Sequence, residues 1–389
     1  MDISILPGKL SGTITPIPSK SQAHRYLICA AFASTPTTLI CPETNRDIEA
    51  TADCLNALGA AICRTADGYY IEPIRNVPRS AVLNCCESGS TLRFLLPVVG
   101  ALGVDAVFQL EGRLPQRPLS PLWEEMERKG CTLTRPTSDT IRCQGKLTGG
   151  DYCIDGGVSS QFITGLYFAL PLLNAENSLL ITGKPESQPY ITMTVRAFDV
   201  FGYPGNVSPG TVTVESDWSN GAFWVAAQML GSSLSIQGLN EDSAQGDRAV
   251  VDITRRLLDG CPTVSAADIP DLVPILAVVA AAKHGAVFTN IRRLRMKESD
   301  RVATVMEMIE HLGGHAQATE DTLTIQGTGL RGGTVISHND HRIAMAAAIA
   351  ATVCTEPVTI LGAEAVNKSY PSFWKEYQRL GGHYEQYLR

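Results

Sequence analysis

Positive charge is in short supply in this chain: 32 Lys and Arg against 39 Asp and Glu leave a net charge of −7. Broad nucleic-acid binding and membrane-surface binding both need a surplus of basic surface, so neither partner is expected. A small anion remains open as a ligand, because the local field of a pocket can oppose the overall charge. Long apolar runs are also missing. The longest, Leu272 to Ala282, has 11 residues, well short of the roughly 20 that a membrane span requires. Met1 to Leu10 has no basic stretch followed by an apolar one, so no secretory leader is expected. The cysteines number 11, an odd count with no Cys-x-x-Cys spacing and an adjacent Cys85-Cys86 pair ill suited to bridging. Free thiols and a cytoplasmic location are therefore expected.

Nucleotide signatures fail as well. No GxxxxGK[ST] loop occurs, and the GxGxxG string at Gly327 to Gly332 runs into Thr334-Val335-Ile336, a strand-like segment where a dinucleotide site needs a helix. His311 and His315 flank a Gly313-Gly314 break, and His338 and His341 have no zinc-type set around them. No metal and no cofactor are expected.

What the chain does contain is a repeat. With 389 residues, 44% apolar and 18% charged, it has length for two or three globular domains. Twelve candidate helices alternate in six pairs. The first of each pair opens on small polar or charged residues: Ser19-Lys20-Ser21, Glu87 to Ser90, Ser159-Ser160-Gln161, Asp217 to Asn220, Asp268 to Asp271 and Asn339 to Arg342. The second stops at a glycine, at Gly59, Gly130, Gly202, Gly260, Gly313 and Gly381, spaced by 71, 72, 58, 53 and 68 residues. One supersecondary unit used six times accounts for this period. A left-handed helix end explains the glycines. Hairpins should follow, such as Ala61-Ile62-Cys63 with Tyr69-Tyr70-Ile71 across Asp67-Gly68. The hairpin region Cys261 to Ala267 is too short for two strands. Three repeats per domain put the boundary between units three and four: 20–215 forms one domain, 1–19 with 216–389 the other, and crossovers fall near 16–20 and 214–218.

One polar helix opening is an ordinary N-cap. Six in register, if they converge, make an anion site from free backbone N–H groups. Basic residues stand at these openings: Lys20 and Arg25, Arg93, Arg117 between prolines, Lys297 and Arg301 spaced i,i+4 at a helix start, Arg342, and Lys368 in Asn367 to Pro371. Together they suit two phosphates or carboxylates, which an Arg fork grips two oxygens at a time.

The segments Lys20-Ser21-Gln22-Ala23-His24-Arg25, Ser159-Ser160-Gln161-Phe162, Lys297-Glu298-Ser299-Asp300-Arg301 and Asn339 to Met345 closely resemble the 5-enolpyruvylshikimate-3-phosphate synthase family, in order, from Leu6-Pro7 to Tyr370-Pro371. That resemblance implies a two-domain, inside-out α/β barrel, each domain holding three βαβαββ units with pseudo-threefold symmetry. It implies transfer of the enolpyruvyl group of phosphoenolpyruvate to the 5-hydroxyl of shikimate 3-phosphate through a tetrahedral intermediate. By the same resemblance Ser21, Arg25, Ser159, Ser160, Ser187, Tyr190 and Lys297 hold shikimate 3-phosphate, and Gln161 lies between the ligands. Gly89, Arg117, Arg301, Arg342 and Lys368 hold phosphoenolpyruvate, while Lys20 reaches both. Lys20, Asp271 and Glu298 are the acid/base set: Asp271 at the hydroxyl, where it also contacts substrate, Glu298 at the methylene carbon, and Lys20 assisting. A monomer with a mobile pair of domains is implied too.

Four positions depart from the familiar pattern: Glu87, Phe94, Gln188 and Arg293. Glu87 is the most consequential, since a carboxylate near two anions repels them unless a cation such as Arg93 neutralises it. Two alternatives stay open. One is the sister transferase acting on UDP-N-acetylglucosamine, whose catalytic cysteine has no counterpart in Pro115 to Pro118. The other is a member of the fold that binds small anions without turnover.

Overall fold

In a computed structural model, described over residues 1–387, the chain divides into two compact units. One is Pro18–Glu215; the other joins Met1–Ile17 to the chain from Ser216 onward. Twelve α-helices occur among the described residues: α1 (Lys20–Ala31), α2 (Arg46–Ala57), α3 (Gly89–Leu102), α4 (Leu122–Arg128), α5 (Ser160–Ala169) and α6 (Gln188–Phe201) in the first unit, α7 (Trp218–Met229), α8 (Val250–Asp259), α9 (Val273–Ala282), α10 (Arg301–His311), α11 (His341–Ala350) and α12 (Phe373–Arg379) in the second.

The odd-numbered helices are buried on nearly every side. All ten residues of α11 are buried, and in α3 only Ser90 and Leu102 are not. A helix can be apolar all round only when neighbours cover it all round, so each unit has helices at its centre and sheets outside. Close approach is built in: a Cβ on Gly165 of α5 would sit 2.2 Å from the Arg93 carbonyl of α3. A helix so enclosed can present polar groups only at its ends.

The repeat is visible in the sheets. Strands Ser80–Asn84, Asp105–Gln109, Thr140–Gly145 and Cys131–Thr134 lie in that spatial order, the first pair parallel and the others antiparallel, as a βαβαββ unit requires. Thr263–Ser265, Ala286–Thr289, Thr322–Gln326 and His315–Ala318 repeat the arrangement. Two further sheets complete it with strands from elsewhere in the chain: Thr211–Thr213 pairs with Thr37–Ile40, and Asp2–Ile5 pairs with both Val358–Leu361 and Tyr384–Tyr387. The remaining two sheets have only two strands each, Gly150–Asp155 with Asn177–Thr182 and Ser11–Ile14 with Ser233–Ile236. Six equal units were expected; four carry the closing pair and two stop after their second helix. The short connections after α6 and α8 explain this, because each enters the first strand of another sheet before a hairpin can form.

Smaller corrections are local. The hairpin after α2 pairs Ile62 with Ile71, but Thr65 N–H donates to Gly68 O, which centres the turn on Ala66-Asp67. Gly59, Gly130, Gly202, Gly313 and Gly381 have φ of 105°, 106°, 57°, 85° and 92°, while Gly260 is extended and needs no glycine. The expected helix start at Lys297 moves to Arg301, because the Asp300 carboxylate accepts from the N–H groups of Val302 and Ala303. The segment after Gly332 is the strand Gly333–Ile336, so no helix follows the GxGxxG string. No helix is long and apolar enough to cross a membrane among the described residues.

Candidate active site

In the unit Pro18–Glu215 the openings of α1, α3, α5 and α6 carry the expected residues. Ser19, Ser88 and Ser159 cap the first three helices, accepting from the N–H groups of Gln22, Thr91 and Gln161. These caps are neutral, so the helix ends keep their attraction for an anion. Lys20 is the first residue of α1, and its Nζ lies 2.8 Å from Asp47 Oδ2 on α2. Asp47 gave no sign of this role in the sequence, where it reads as an ordinary first-turn carboxylate. Ser21 follows Lys20 in the first turn and is half-buried.

Arg25 is only 2% exposed. Its guanidinium donates to Thr194 Oγ1 at 2.9 Å, Ser21 O at 2.8 Å and Tyr190 O at 2.8 Å, and lies 5.1 Å from the Phe94 ring centroid. Burial pulls it down to about 10, still charged at neutral pH. Arg25 thus ties α1 to α6, with two of its five N–H groups left over for a ligand. Ser187 takes the left-handed conformation, φ 56°, as the N-cap of α6, which places Gln188 at the first helical position and Tyr190 in the first turn.

Gln161 joins the openings of α5 and α3: its amide donates to Ser90 Oγ at 3.0 Å and accepts from Arg93 Nη1 at 3.2 Å. Two guanidinium groups lie over Gly89. A Cβ there would meet Arg93 Nη1 at 2.6 Å and Arg117 Nη1 at 2.8 Å. Ser160 is buried in the first turn of α5. Glu87, the expected source of repulsion, packs on the neighbouring loop: a Cβ on Gly112 would lie 2.4 Å from its Oε2.

The other unit concentrates charge. Arg301, 1% exposed, donates through Nε to Asp340 Oδ2 at 2.8 Å, through Nη1 to Asp271 Oδ1 at 2.5 Å and through Nη2 to Glu298 Oε2 at 2.6 Å. Arg342 donates to Asp271 Oδ2 at 3.2 Å, the Asp271 carbonyl at 3.3 Å and Ser219 Oγ at 2.7 Å. Lys297 Nζ stands 3.6 Å from Asp271 Oδ1, and Lys368 Nζ donates to Asn339 O at 2.9 Å. Asp271 is therefore shared by three cations. Burial alone would raise its pKa, yet Arg342, Lys297 and Arg301 hold it well below the carboxylate range. Burial brings Lys297 down to about 8 against the attraction of Asp271.

Helix caps in this unit differ from those in the first. Asp217 and Asp340 cap α7 and α11, and α9 has no side-chain cap. Carboxylates fill the ends of α7 and α11, so at those two openings anion capture falls to the basic side chains and not to the backbone N–H groups. Asp340, wholly buried, also accepts from Ser299 Oγ at 2.9 Å. As a site member it was hidden, because an Asp before a helix reads as a cap and nothing more. No group of His, Cys, Asp and Glu with metal-binding geometry occurs among the described residues. An open surface hollow lined by Leu119, Trp123, Glu124 and Arg135 holds none of these residues.

The sequence profile of the EPSP synthase (3-phosphoshikimate 1-carboxyvinyltransferase) family matches residues 6–261 and 260–377. A 3-phosphoshikimate 1-carboxyvinyltransferase of Clostridium kluyveri is 38% identical, over 99% of this chain and 98% of that protein. One from Clostridium novyi is 35% identical over 98% of each. Among solved structures, an EPSP synthase from Acinetobacter baumannii aligns with TM-score 0.80 at 23% identity, covering 99% of this chain and 100% of that one. The enolpyruvyl transferase NikO from Streptomyces tendae aligns with TM-score 0.73 at 19% identity, over 99% and 98%. The fold is that of the enolpyruvyl transferases. Within that class, the chain belongs to the EPSP synthase family.

Proposed function

We infer that this chain performs the reaction of its family, joining the enolpyruvyl group of phosphoenolpyruvate to the 5-hydroxyl of shikimate 3-phosphate and releasing phosphate. The observation that carries the assignment of roles is Asp271 shared by Arg301, Arg342 and Lys297, with Glu298 on the same Arg301 guanidinium.

The hydroxyl oxygen forms a bond to C2 of phosphoenolpyruvate as its proton leaves and another proton reaches the methylene carbon. Breaking the C–O bond to phosphate, with loss of a proton from the new methyl group, then regenerates the double bond. Asp271 takes the hydroxyl proton; its depressed proton affinity keeps it ionised and ready to accept a hydrogen bond. Glu298 delivers and removes the proton at carbon. Lys20 assists transfer and neutralises charge. Arg301, Arg342, Lys368, Gly89 and Arg117 bind the donor's anionic groups. Lys297, Ser21, Arg25, Ser159, Ser160, Ser187 and Tyr190 hold the acceptor, with Gln161 between the two ligands. Eleven free cysteines, three of them exposed, suit a reducing cytoplasm.

Phosphate release with phosphoenolpyruvate and each of two acceptors tests this reading. Release with shikimate 3-phosphate alone is expected. Release with UDP-N-acetylglucosamine, or tight binding of either substrate without release, overturns it.

A further inference from the structure

Arg25 is a buried cation whose three oxygen partners, Thr194 Oγ1, Ser21 O and Tyr190 O, are all neutral. Held by neutral dipoles, it keeps its pull on an anion, and the aim of its fork decides what that pull is worth. Two of the partners are backbone carbonyls, placed by the helices that carry them. The third is a side chain, Thr194 of α6, which is wholly buried and has no part in the roles assigned above. Its hydroxyl is fully used. It donates to Tyr190 O, four residues back, at 3.1 Å, and its oxygen lies 2.9 Å from Arg25 Nε and 3.1 Å from the hydroxyl oxygen of Thr164 on α5. A carbonyl can only accept, so the one Thr194 hydrogen is committed to Tyr190 and Thr164 is the donor in its pair. A buried helical threonine that only fills space bonds the carbonyl four residues back and no more. This one also accepts twice, once from a cation.

We propose that Thr194 is a positioning residue for the acceptor: by taking the Arg25 Nε–H it fixes the direction of the guanidinium fork, and so sets the affinity for the phosphate-bearing acceptor without touching it. The inference rests on the reading that Arg25 binds shikimate 3-phosphate. Nε and Nη2 together grip Thr194 Oγ1 and Tyr190 O, two oxygens only 3.1 Å apart, the two-point hold to which a planar fork is suited. Without the Thr194 oxygen that grip falls to one point, about which the fork can turn. Phe94 of α3 does not prevent this. The guanidinium carbon lies 5.1 Å from its ring centroid, and attraction to a ring face limits movement away from the ring but offers no acceptor to fix a direction. Thr164 extends the link to α5, where it stands four residues, one helical turn, after Ser160, itself assigned to the acceptor. One hydroxyl thus joins the Arg25 side chain of α1 to α5 and α6.

Calorimetry and steady-state kinetics on the full chain test this with Thr194→Val, Thr194→Ser, Arg25→Lys and the double variant of Arg25→Lys with Thr194→Val. Valine keeps the shape and removes the oxygen. Expected in Thr194→Val are shikimate 3-phosphate binding weakened about tenfold, a KM for phosphoenolpyruvate within about twofold of the parent and a kcat within about threefold. Thr194→Ser keeps the oxygen and should hold affinity to within about threefold of the parent. Thr194 acts through Nε, which lysine lacks, so the double variant should bind no more than about threefold worse than Arg25→Lys alone. Equal losses for both substrates, a serine variant as weak as the valine one, or losses that multiply in the double variant overturn the proposal. Should Thr194→Val fail to fold, Thr194→Cys, whose sulfur is a weak acceptor, decides it by the same split between the two substrates. Arg25→Lys separates the two levels. If that change leaves shikimate 3-phosphate affinity unaltered, the assignment of Arg25 is wrong; if it lowers the affinity while Thr194→Val does not, only the role of Thr194 is lost.

Discussion

Arg301 Nη1 donates to Asp271 Oδ1 at 2.5 Å. The guanidinium that the family resemblance assigns to phosphoenolpyruvate therefore holds the carboxylate assigned to the acceptor hydroxyl. Glu298 shares the same guanidinium through Nη2 at 2.6 Å, so the two carboxylates meant for opposite proton transfers are coupled through one cation. Any anion that draws on Arg301 alters both at once. Coupling of this kind makes single substitutions strongly non-additive.

Glu298→Gln removes the proton donor at carbon while keeping shape and the contact to Arg301. Turnover should fall by about 10² to 10⁴, the range general acid/base groups supply. Shikimate 3-phosphate affinity, read by calorimetry, should stay within about threefold. Survival of turnover would remove Glu298 from the acid/base set.

Gly89→Ala places a methyl group 2.6 Å from Arg93 Nη1 and 2.8 Å from Arg117 Nη1. Both guanidinium groups must shift, and an alanine in the first turn of α3 costs the helix nothing. The KM for phosphoenolpyruvate should rise about tenfold or more with thermal stability unchanged. An unaltered KM would show that neither guanidinium bears on the donor.

Lys297 has been brought down to about 8 by burial. As pH rises through that value the ammonium is lost, and with it the attraction for an acceptor phosphate. The profile of kcat/KM for shikimate 3-phosphate, which reports the free enzyme, should therefore fall on its basic side near pH 8. Lys297→Arg stays charged and should move that limb upward. A limb unmoved by Lys297→Arg belongs to another group.

Burial and the nearby Asp271 push Asp247 up to about 7, whereas an unfolded Asp releases its proton near 4. Between about pH 4 and pH 7 the folded chain holds a proton that the unfolded chain has lost, so this group's contribution to stability declines as pH rises through that window and is level above it. Asp247→Asn carries no such charge. The difference in unfolding free energy between variant and parent should grow across the window, in the variant's favour, by roughly 4 kcal/mol by pH 8. Asp271, held low, acts only below about pH 4, outside this range. A constant difference across the window would mean that Asp247 is ionised throughout.

Much of this protein is written locally. Six polar openings alternating with six terminal glycines require only that helices begin at side chains able to accept from free N–H groups and end where a left-handed turn is cheap, and both are properties of a few neighbouring residues. The blocks around Lys20, Ser159, Lys297 and Arg342 carry the family likeness for the same reason: their chemistry is compressed into short stretches. The folded chain decided what depends on residues distant in sequence. Strands Thr211–Thr213 and Asp2–Ile5 complete sheets whose other members lie far away, which no local pattern announces. Lys297 and Glu298 precede their helix because Asp300 outcompetes them as its cap. Asp47 and Asp340 look like ordinary surface or cap carboxylates until folding draws them from water and sets each against a cation. A charge in sequence has no environment; its proton affinity and its role follow from desolvation and from partners that only the tertiary structure supplies.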